Sequence, residues 1–323
     1  MALLVTGAMG HVGYETARRA AERGIPVVAQ YRAAFRPADA EALGDGVSWV
    51  RADLADPFEA AAMTAAHAID GCIHAAAIAN DQLGTPVPMR TFRSNVAATQ
   101  HLLELGRQQG WRRFVFVSTG AVFQRWRERE RAIPEDEPAS PVTLYAGTKH
   151  CGETLTAMYR TVYGLDAATV RISWVFGPPV VPRSFEGPRG PVPELLRRAL
   201  RGERIDEPSG GDFAASFTYV TDVALGLLAA YGAERLDHAV YHLGTGENHA
   251  TSRVAEAVRR AVPGAEIRIG PGTEPWTRFT VPRGPLSCER MREDLGFAPT
   301  YGLDAAVREF ADWMRAHPES YRP

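Results

Sequence analysis

The sequence predicts an α/β fold in which a doubly wound parallel sheet is joined to a smaller C-terminal α/β part. A short apolar run over residues 2–6 stops at glycines and continues into an amphipathic helical pattern. Further apolar runs alternate with helical patterns up to residue 176, as expected for successive β-α-β units. With 323 residues and 45% hydrophobic content, the chain can form one or two packed domains.

Composition and charge argue against several functional classes. The formal net charge of −2 lacks the basic excess of nucleic-acid-binding domains, so we expect no nucleic acid partner. The first residues show no basic segment followed by a long apolar run, so we expect no signal peptide or membrane span and a cytoplasmic location. The cysteines, Cys72, Cys151 and Cys288, are far apart and the histidines are scattered, so we predict no metal site.

The glycine-rich turn after the first strand predicts dinucleotide binding. Gly7 permits a tight turn, Gly10 lets the backbone approach a pyrophosphate, and Gly13 lets the following helix pack closely on the strand. His11 and Val12 lie between these glycines and are included in the predicted cofactor site. Strand, glycine turn and helix in this order are typical of the first unit of a Rossmann-type fold.

The end of the second strand, residues 26–32, indicates which dinucleotide is preferred. An acidic residue there would bind the ribose 2′-hydroxyl of NAD, but the sequence has Tyr31 and Arg32. A guanidinium suits the 2′-phosphate of NADP. We therefore expect NADP to be slightly preferred over NAD. An exposed arginine in an arginine-rich chain is the alternative interpretation of Arg32.

Strands three to five place further residues at the carboxyl edge of the sheet, where α/β proteins bind ligands. Those predicted to face the cofactor after the third and fourth strands are Asp53, Leu54, Ala75, Ala76 and Ala77. Residues 86–109 predict one long helix with Asn95 near its centre. The fifth strand runs into Thr119, and the charged segment 124–142 that follows is expected to be a solvated loop.

Lys149 is the only lysine in the chain, which otherwise carries its positive charge on arginine. A position that keeps lysine in such a chain indicates a need for a compact ammonium, which guanidinium cannot replace. Tyr145 lies four residues earlier, so on a helix the two side chains share a face. The ammonium is expected to lower the pKa of the phenol, which would suit Tyr145 to proton transfer between an alcohol and a ketone.

These motifs together resemble the extended short-chain dehydrogenase/reductases, specifically the NAD(P)-dependent sugar epimerase/dehydratase family. The resemblance covers nearly the whole chain and rests on TGAMGHVG, RADLAD, IHAAA, SNVAATQHLLE, FVFVSTGAVF, LYAGTK, VRISWVFGP and FTYVTDVA. It implies that Thr119 polarises the substrate oxygen, that Tyr145 transfers a proton, and that Lys149 contacts the nicotinamide ribose. Asn95 would support the active-site framework, and the helices carrying Asn95 and Tyr145 would form a homodimer interface.

Departures from the family pattern bear on the substrate. Related dehydratases follow the threonine with an Asp-Glu pair, whereas Gly120 and Ala121 stand here, so dehydration is not expected. Nucleotide-sugar enzymes commonly have an asparagine at the position of Trp174 and an arginine near Ala215. An indole cannot replace an amide and a methyl group cannot neutralise a diphosphate, so a nucleotide-sugar substrate is not expected.

A small polar metabolite is expected to bind in the C-terminal part. We predict a dinucleotide-binding domain over residues 1–176, to which 217–246 return, and a substrate-binding part over 177–216 and 247–323. The candidate substrate-binding residues are Trp174, Arg183, Arg278 and Arg283. The alternative interpretation of each arginine is a solvated surface residue.

The predicted function is that of an NAD(P)-dependent oxidoreductase acting on a secondary alcohol or ketone of a sugar, sugar acid or similar metabolite. One alternative is a sugar epimerase that works through transient oxidation with retained NAD. The other alternative is a non-catalytic NAD(P)-binding sensor or scaffold, which the presence of Thr119, Tyr145 and Lys149 argues against.

Overall fold

The computed structural model of the chain describes residues 1–179, 190–277 and 279–321. The strands are β1 (Ala2–Thr6), β2 (Val27–Tyr31), β3 (Val47–Arg51), β4 (Ile69–His74), β5 (Arg113–Thr119), β6 (Ala167–Ile172), β7 (Trp174–Phe176), β8 (Ile205–Glu207), β9 (Ala214–Ala215), β10 (Phe217–Tyr219), β11 (Val240–Leu243), β12 (His249–Ala250) and β13 (Ile267–Ile269). The α-helices are α1 (His11–Ala21), α2 (Pro37–Glu41), α3 (Pro57–Ala65), α4 (Asp81–Gly84), α5 (Pro88–Phe92), α6 (Ala98–Gln109), α7 (Leu144–Tyr163), α8 (Pro191–Leu200), α9 (Val220–Gly232), α10 (Thr251–Ala261), α11 (Glu289–Leu295) and α12 (Leu303–Ala316).

Within these residues, seven parallel strands form the main sheet in the order β3-β2-β1-β4-β5-β6-β11. The first six follow the strand order of dinucleotide-binding proteins. The chain adds strands on one side of β1 up to β3 and then on the other side from β4, so the strand order reverses between β1 and β4. The predicted doubly wound parallel sheet is therefore confirmed. Because ligands bind outside the carboxyl ends of the strands at such a reversal, the order alone locates the expected site.

The predicted sixth strand, residues 167–179, is divided in two. The Ser173 amide still donates to Leu243 O of the main sheet at 3.2 Å, but the Trp174 amide donates to Ser216 O at 3.1 Å. The chain thus changes its hydrogen-bonding partner at Ser173, and β7 pairs with β10 in a separate two-stranded sheet. This change directs Trp174 away from the main sheet and towards the carboxyl edge.

Apolar side chains fill both faces of the main sheet. One face packs against α1 and α9, with Val5, Val115 and Leu227 fully buried between them. The other face packs against α3, α6 and α7 through Leu102 and Phe116, which are also fully buried. Leu102 therefore belongs to the core.

A separate apolar cluster lies between α8, α10 and α12. Leu195, Val258 and Phe310 are buried within it, and each comes from a helix with an amphipathic pattern. The division of the chain at residues 176 and 247 stays a prediction. None of the helices in the described ranges is both long enough and apolar enough to cross a membrane.

The predicted helix over residues 86–109 contains one turn of π-helix. Helices α5 and α6 are joined by a π-helical turn at Arg93–Ala97, and Asn95 lies in that turn. A π-turn holds an extra residue, which changes the direction of the side chains after it and is common at functional sites. The regular helix expected from periodicity is therefore wrong at these residues, although the helix itself is present.

The charged segment 124–142 is not a solvated loop along its whole length. Ile133 is fully buried and forms a parallel β-bridge with Leu286. Glu135 is also buried, and its carboxylate accepts hydrogen bonds from Ser287 Oγ at 2.6 Å and from the Arg290 amide at 3.2 Å. The expectation failed because the isolated apolar Ile133 anchors the segment to residues 285–287, a long-range contact that charge density does not reveal.

Close packing of α7 on β5 predicts an asymmetric response to alanine. A Cβ at Gly152 would lie 2.3 Å from Phe116 Cζ, whereas a Cβ at Gly147 meets nothing within 4 Å. We expect Gly152→Ala to lower the free energy of unfolding by about 1–3 kcal/mol, because overpacking displaces a buried ring. Gly147→Ala should raise it by about 0.5–1 kcal/mol through helix propensity.

Urea denaturation of the two variants would measure both effects on one helix. Equal free energies of unfolding for Gly147→Ala and Gly152→Ala would contradict the packing of α7 on Phe116 described above.

Candidate active site

A single cleft runs along the carboxyl ends of the parallel strands and has a volume of about 1160 Å³. This exceeds the roughly 300–1,000 Å³ of an ordinary small-molecule pocket and leaves room for a dinucleotide and a second ligand. The predicted residues that line it are Gly7, Gly10, His11, Val12, Gly13, Tyr31, Arg32, Asp53, Leu54, Ala75, Ala76, Ala77, Thr119, Tyr145, Lys149, Trp174 and Arg283. Asn95 is buried beside the cleft, and Arg183 and Arg278 lie outside the described residues.

The glycine turn is sterically closed to larger residues. Gly7 has φ +65°, and a Cβ there would lie 2.8 Å from Ala76 Cα. A Cβ at Gly13 would lie 2.3 Å from Gly7 O. The spacing of glycines and the alanines after β4 therefore have one steric cause, which is the close approach of β1, α1 and β4.

The N-terminus of α1 suits a pyrophosphate. Gly10 precedes it without a side-chain cap, and its first turn has no acidic residue. The Gly10 amide donates to Gly7 O at 2.7 Å, which closes the turn at the start of the helix. Uncapped N–H groups and the positive end of the helix dipole together attract a phosphate group, so the residues present fit the phosphates of a dinucleotide.

Gln30 holds the glycine turn in place and was missed by the sequence analysis. Its Oε1 accepts a hydrogen bond from the Gly7 amide at 2.9 Å, and its Nε2 donates to Ala52 O at 2.6 Å. The side chain is buried, so both bonds satisfy groups that water does not reach. The only indication of this role in the sequence is that Gln30 is a polar residue within the apolar run VVAQY.

Tyr31 ends β2 and Arg32 follows it, and both line the cleft. The Arg32 guanidinium donates to Ser94 Oγ at 3.2 Å and has no ion pair with a carboxylate of the described residues. Arg36 donates to Met9 O in the glycine turn at 2.9 Å and also pairs with Asp39. One of its terminal nitrogens is buried and has no hydrogen-bond partner among the described residues.

Tyr145 and Thr119 both line the cleft, and the Thr119 side chain lies close enough to the Tyr145 hydroxyl to affect its pKa. Burial raises the pKa of Tyr145 to about 12; the nearby Thr119 side chain lowers it and the negative charge of Asp81 raises it. The prediction that Lys149 lowers this pKa is therefore wrong for this structure. The effect of burial on this pKa is larger than that of the neighbouring groups. Sequence spacing does not show how deeply a side chain is buried.

Lys149 is buried on the same face of α7. Its Nζ lies 4.1 Å from the centroid of the Phe116 ring, a cation–π distance. Burial lowers the pKa of Lys149 to about 7, and the negative charge of Glu153 partly opposes this. Glu153 is itself held by a buried Arg171, whose guanidinium donates twice to its carboxylate at 2.9 Å.

Asp81 is a second residue that the sequence analysis missed. Its Oδ1 accepts a hydrogen bond from the Tyr145 amide at 2.8 Å, so a carboxylate from another segment caps the start of α7. Asp81 is buried and lines the cleft. The two partners are 64 positions apart in sequence, which explains why no local pattern could indicate this cap.

The C-terminal part closes the other side of the cleft. Trp174 and Arg283 line it as predicted, together with Trp276 and Phe279, which the sequence analysis did not single out. The Trp276 indole donates to Thr251 Oγ1 at 3.0 Å, so its ring is fixed against α10. The cleft thus has a polar side formed by the main sheet and an aromatic side formed by Trp174, Trp276 and Phe279.

Replacing Lys149 by methionine is expected to change how stability depends on pH. The pKa of Lys149 is about 7 in the folded protein against an ordinary 10.5. The unfolded chain therefore binds more protons between these values, and wild-type stability relative to Lys149→Met should rise with pH in that window. Urea denaturation midpoints of the two proteins would be measured from about pH 6 to 9. The midpoint of Lys149→Met relative to that of the wild type should be highest at the acidic end.

Arg160→Met is the matched control for this measurement, because it removes a cationic side chain from the same helix. Identical pH dependence of the wild type and Lys149→Met would show that the ammonium is not desolvated in the folded protein.

Comparison with known proteins agrees with this arrangement. The model of the NAD dependent epimerase/dehydratase family matches residues 3–267. A UDP-glucose 4-epimerase of Streptomyces lividans is 29% identical over 98% of this chain and 97% of its own length. A dTDP-4-dehydro-6-deoxy-D-allose reductase of Streptomyces bikiniensis is 28% identical over 98% of this chain and 96% of its own.

A solved structure shows the same fold. The UDP-glucose 4-epimerase of Thermus thermophilus, in complex with NAD, superposes with a TM-score of 0.81 and 28% identity over 98% of this chain and 99% of its own. The family model spans most of the chain, and these relatives match it from end to end. The resemblance inferred from the motifs is thus confirmed, and the chain is an enzyme that belongs to the NAD-dependent epimerase/dehydratase family of extended short-chain dehydrogenase/reductases.

Proposed function

We propose that the protein is an NAD(P)-dependent oxidoreductase that interconverts a secondary alcohol and a ketone on a sugar, sugar acid or similar polar metabolite. The observation that supports this most directly is the meeting of Thr119, Tyr145 and Lys149 in one cleft, between the glycine turn and the aromatic side. The relative named as a reductase is consistent with such a reaction.

The residues that line the cleft would have separate roles in binding the cofactor and in the reaction. Gly10 and the N-terminus of α1 would bind the cofactor pyrophosphate, and Lys149 would reach the nicotinamide ribose. The bound cofactor would supply or accept the hydride. Thr119 Oγ1 would orient the substrate oxygen, and the Tyr145 hydroxyl would exchange a proton with it.

The protonation state of Tyr145 supports the reductive direction. A phenol with a pKa of about 12 keeps its proton at neutral pH. It is therefore ready to donate that proton to a ketone oxygen, while Thr119 holds the oxygen in place. Oxidation would require a base in the same position, which becomes available as the pH rises.

We propose further that the substrate is not a nucleotide-sugar, although relatives carry such substrates in their names. Trp174 presents an indole to the cleft where an amide would serve a sugar nucleotide. Ala215 lies in β9 on the wall of a small recess beside the cleft and offers no charge for a diphosphate. Gly120 and Ala121 likewise provide no acid and base for dehydration.

An epimerase with retained NAD is the second candidate, since the Streptomyces lividans relative is named as one. It would use the same three side chains, without net redox change. Cofactor that stays bound through gel filtration would favour this candidate, whereas exchangeable NADPH would favour the reductase.

The homodimer and the cytoplasmic location also stay proposals. Large apolar side chains are exposed on α5 and α7, the helices next to Asn95 and Tyr145. They are Met89, Phe92, Met158, Val162 and Tyr163. Pairing these helices with those of a second copy would cover this surface.

The role of Tyr145 is tested by Tyr145→Phe. Because it removes the proton but not the ring, we expect kcat/KM to fall by about 10²–10⁴-fold, the usual contribution of acid–base catalysis, while cofactor affinity changes little. Initial rates over a panel of sugars and sugar acids, with both cofactors, would measure this. Tyr163→Phe, at the exposed end of the same helix, is the control. Unchanged turnover by Tyr145→Phe would remove the proposed proton-transfer group.

The preference for NADP is tested by Arg32→Ala. Losing a charge-assisted contact to the 2′-phosphate should weaken NADPH binding about tenfold or more and leave NADH binding nearly unchanged. Fluorescence titration of the reduced cofactors would measure both affinities. Arg51→Ala, which removes an exposed arginine at the end of β3 that does not line the cleft, is the matched control. An equal loss of affinity for NADPH and NADH would show that Arg32 does not contact the 2′-phosphate.

A further inference from the structure

Arg283 lines both the cleft and the small recess beside it, and comes from the C-terminal part of the chain. Its guanidinium faces the backbone next to Thr119: a Cβ placed on Gly120 would lie 3.5 Å from both Nε and Nη2. These two nitrogens form the edge of a guanidinium that binds planar anions through two parallel hydrogen bonds. Gly120 has no side chain to fill the space beside that edge, and Arg283 lines the same cleft as Thr119 and Tyr145.

No carboxylate of the described residues balances this charge. Across 1–179, 190–277 and 279–321, Arg283 takes part in no ion pair, and its one side-chain hydrogen bond is a long one of 3.4 Å to Val281 O. Burial lowers the pKa of Arg283 to about 10, with no acidic group opposing it. Arg171 shows the contrast: it is buried and its guanidinium donates twice to the Glu153 carboxylate. A desolvated guanidinium without a counter-charge is costly unless a ligand supplies one.

The backbone that carries Arg283 is fixed on both sides. Asn248 Nδ2 donates to Arg283 O at 2.8 Å, and the Ile133 amide donates to Pro285 O at 2.7 Å. Gly284 is pressed against the segment before Ile133, since a Cβ there would lie 2.1 Å from Arg131 O. The guanidinium is therefore presented from a rigid segment, which a specific binding site requires.

A small recess next to Arg283 carries two further polar groups. Ser216 Oγ and Asn248 Oδ1 are buried and have no hydrogen-bond partner among the described residues. Both line the recess, which has a volume of about 20 Å³, room for about one water or one substrate oxygen. Asn248 Oδ1 can only accept a hydrogen bond, so the group that satisfies it is a donor such as a hydroxyl.

We propose that Arg283 binds the carboxylate of a sugar acid whose neighbouring hydroxyl enters the recess of Ser216 and Asn248. The carbon that reacts would then lie towards Thr119 and Tyr145. This inference rests on the function proposed above and narrows its substrate to hydroxy-carboxylates. One guanidinium matches the single charge of a carboxylate, and Ala215 adds no second cation for a diphosphate. A sugar phosphate presents the same oxyanion chemistry and is a separate arm of the test.

The experiment compares wild type, Arg283→Met and Arg292→Met. The last removes an exposed guanidinium that does not line the cleft. Affinities for aldonates, uronates, the corresponding neutral sugars, sugar phosphates and UDP-glucose would be measured calorimetrically in the presence of NADPH, and kcat/KM for each that turns over. We expect Arg283→Met to weaken sugar-acid binding about tenfold or more, to leave neutral sugars unchanged, and Arg292→Met to behave as wild type.

Melting temperatures without ligand add an independent readout. Arg283→Met should melt no lower than the wild type, because it removes a desolvated charge that lacks a partner. A clearly lower melting temperature would reveal a partner within the chain and overturn the inference.

Failure of the inference and failure of the proposed function give different results. Sugar acids that bind through Arg283 but are never oxidised or reduced would sustain the anion site and reject the oxidoreductase. Turnover of neutral sugars or of UDP-glucose with no effect of Arg283→Met would sustain the oxidoreductase and reject the anion site. Binding of sugar phosphates alone through Arg283 would reject the carboxylate in favour of a phosphate.

Discussion

The Asn95 amide group holds the active site together. Its Oδ1 accepts from the Ile78 amide at 2.8 Å, and its Nδ2 donates to Ile78 O at 3.1 Å and to Thr148 Oγ1 at 3.0 Å. Thr148 in turn donates to Tyr145 O at 2.8 Å. One buried side chain thereby joins the loop after β4, the π-turn and α7. Each group left unpaired by its loss would cost about 1–3 kcal/mol, so the position of the tyrosine depends on it.

Desolvation governs the chemistry of the two titrating groups beside that framework. It disfavours the charged form of each, raising the pKa of Tyr145 to about 12 and lowering that of Lys149 to about 7. Between about pH 7 and pH 12, both side chains are therefore mainly in their neutral forms. Charges from Asp81 and Glu153 modify these values but do not reverse them. Burial lowers the pKa of Arg283 only to about 10, so its guanidinium stays charged at neutral pH on the side of the cleft where we propose the substrate binds.

Features that depend on neighbours in sequence were predictable, and features that depend on distant contacts were not. The glycines, the alanines after β4 and the Tyr145–Lys149 spacing each have a local pattern, and the structure places them around one cleft. The hydrogen bond between Asp81 and the Tyr145 amide joins segments 64 residues apart, and that between Gln30 and the Gly7 amide joins segments 23 residues apart. Periodicity in the sequence does not indicate contacts over such distances. The roles assigned to Thr119 and Asn95 came from family resemblance. Burial, which decides the pKa of Tyr145, is a property of the folded chain.

The solitary lysine has a practical consequence. Its amine is buried on α7, lines the cleft and is more than half deprotonated slightly above neutral pH, since its pKa is about 7. An uncharged amine is a nucleophile, so acylating reagents that enter the cleft would find one lysine to modify in the whole chain. Covalent labelling at this amine would report directly on occupancy of the cleft, without any assay of turnover.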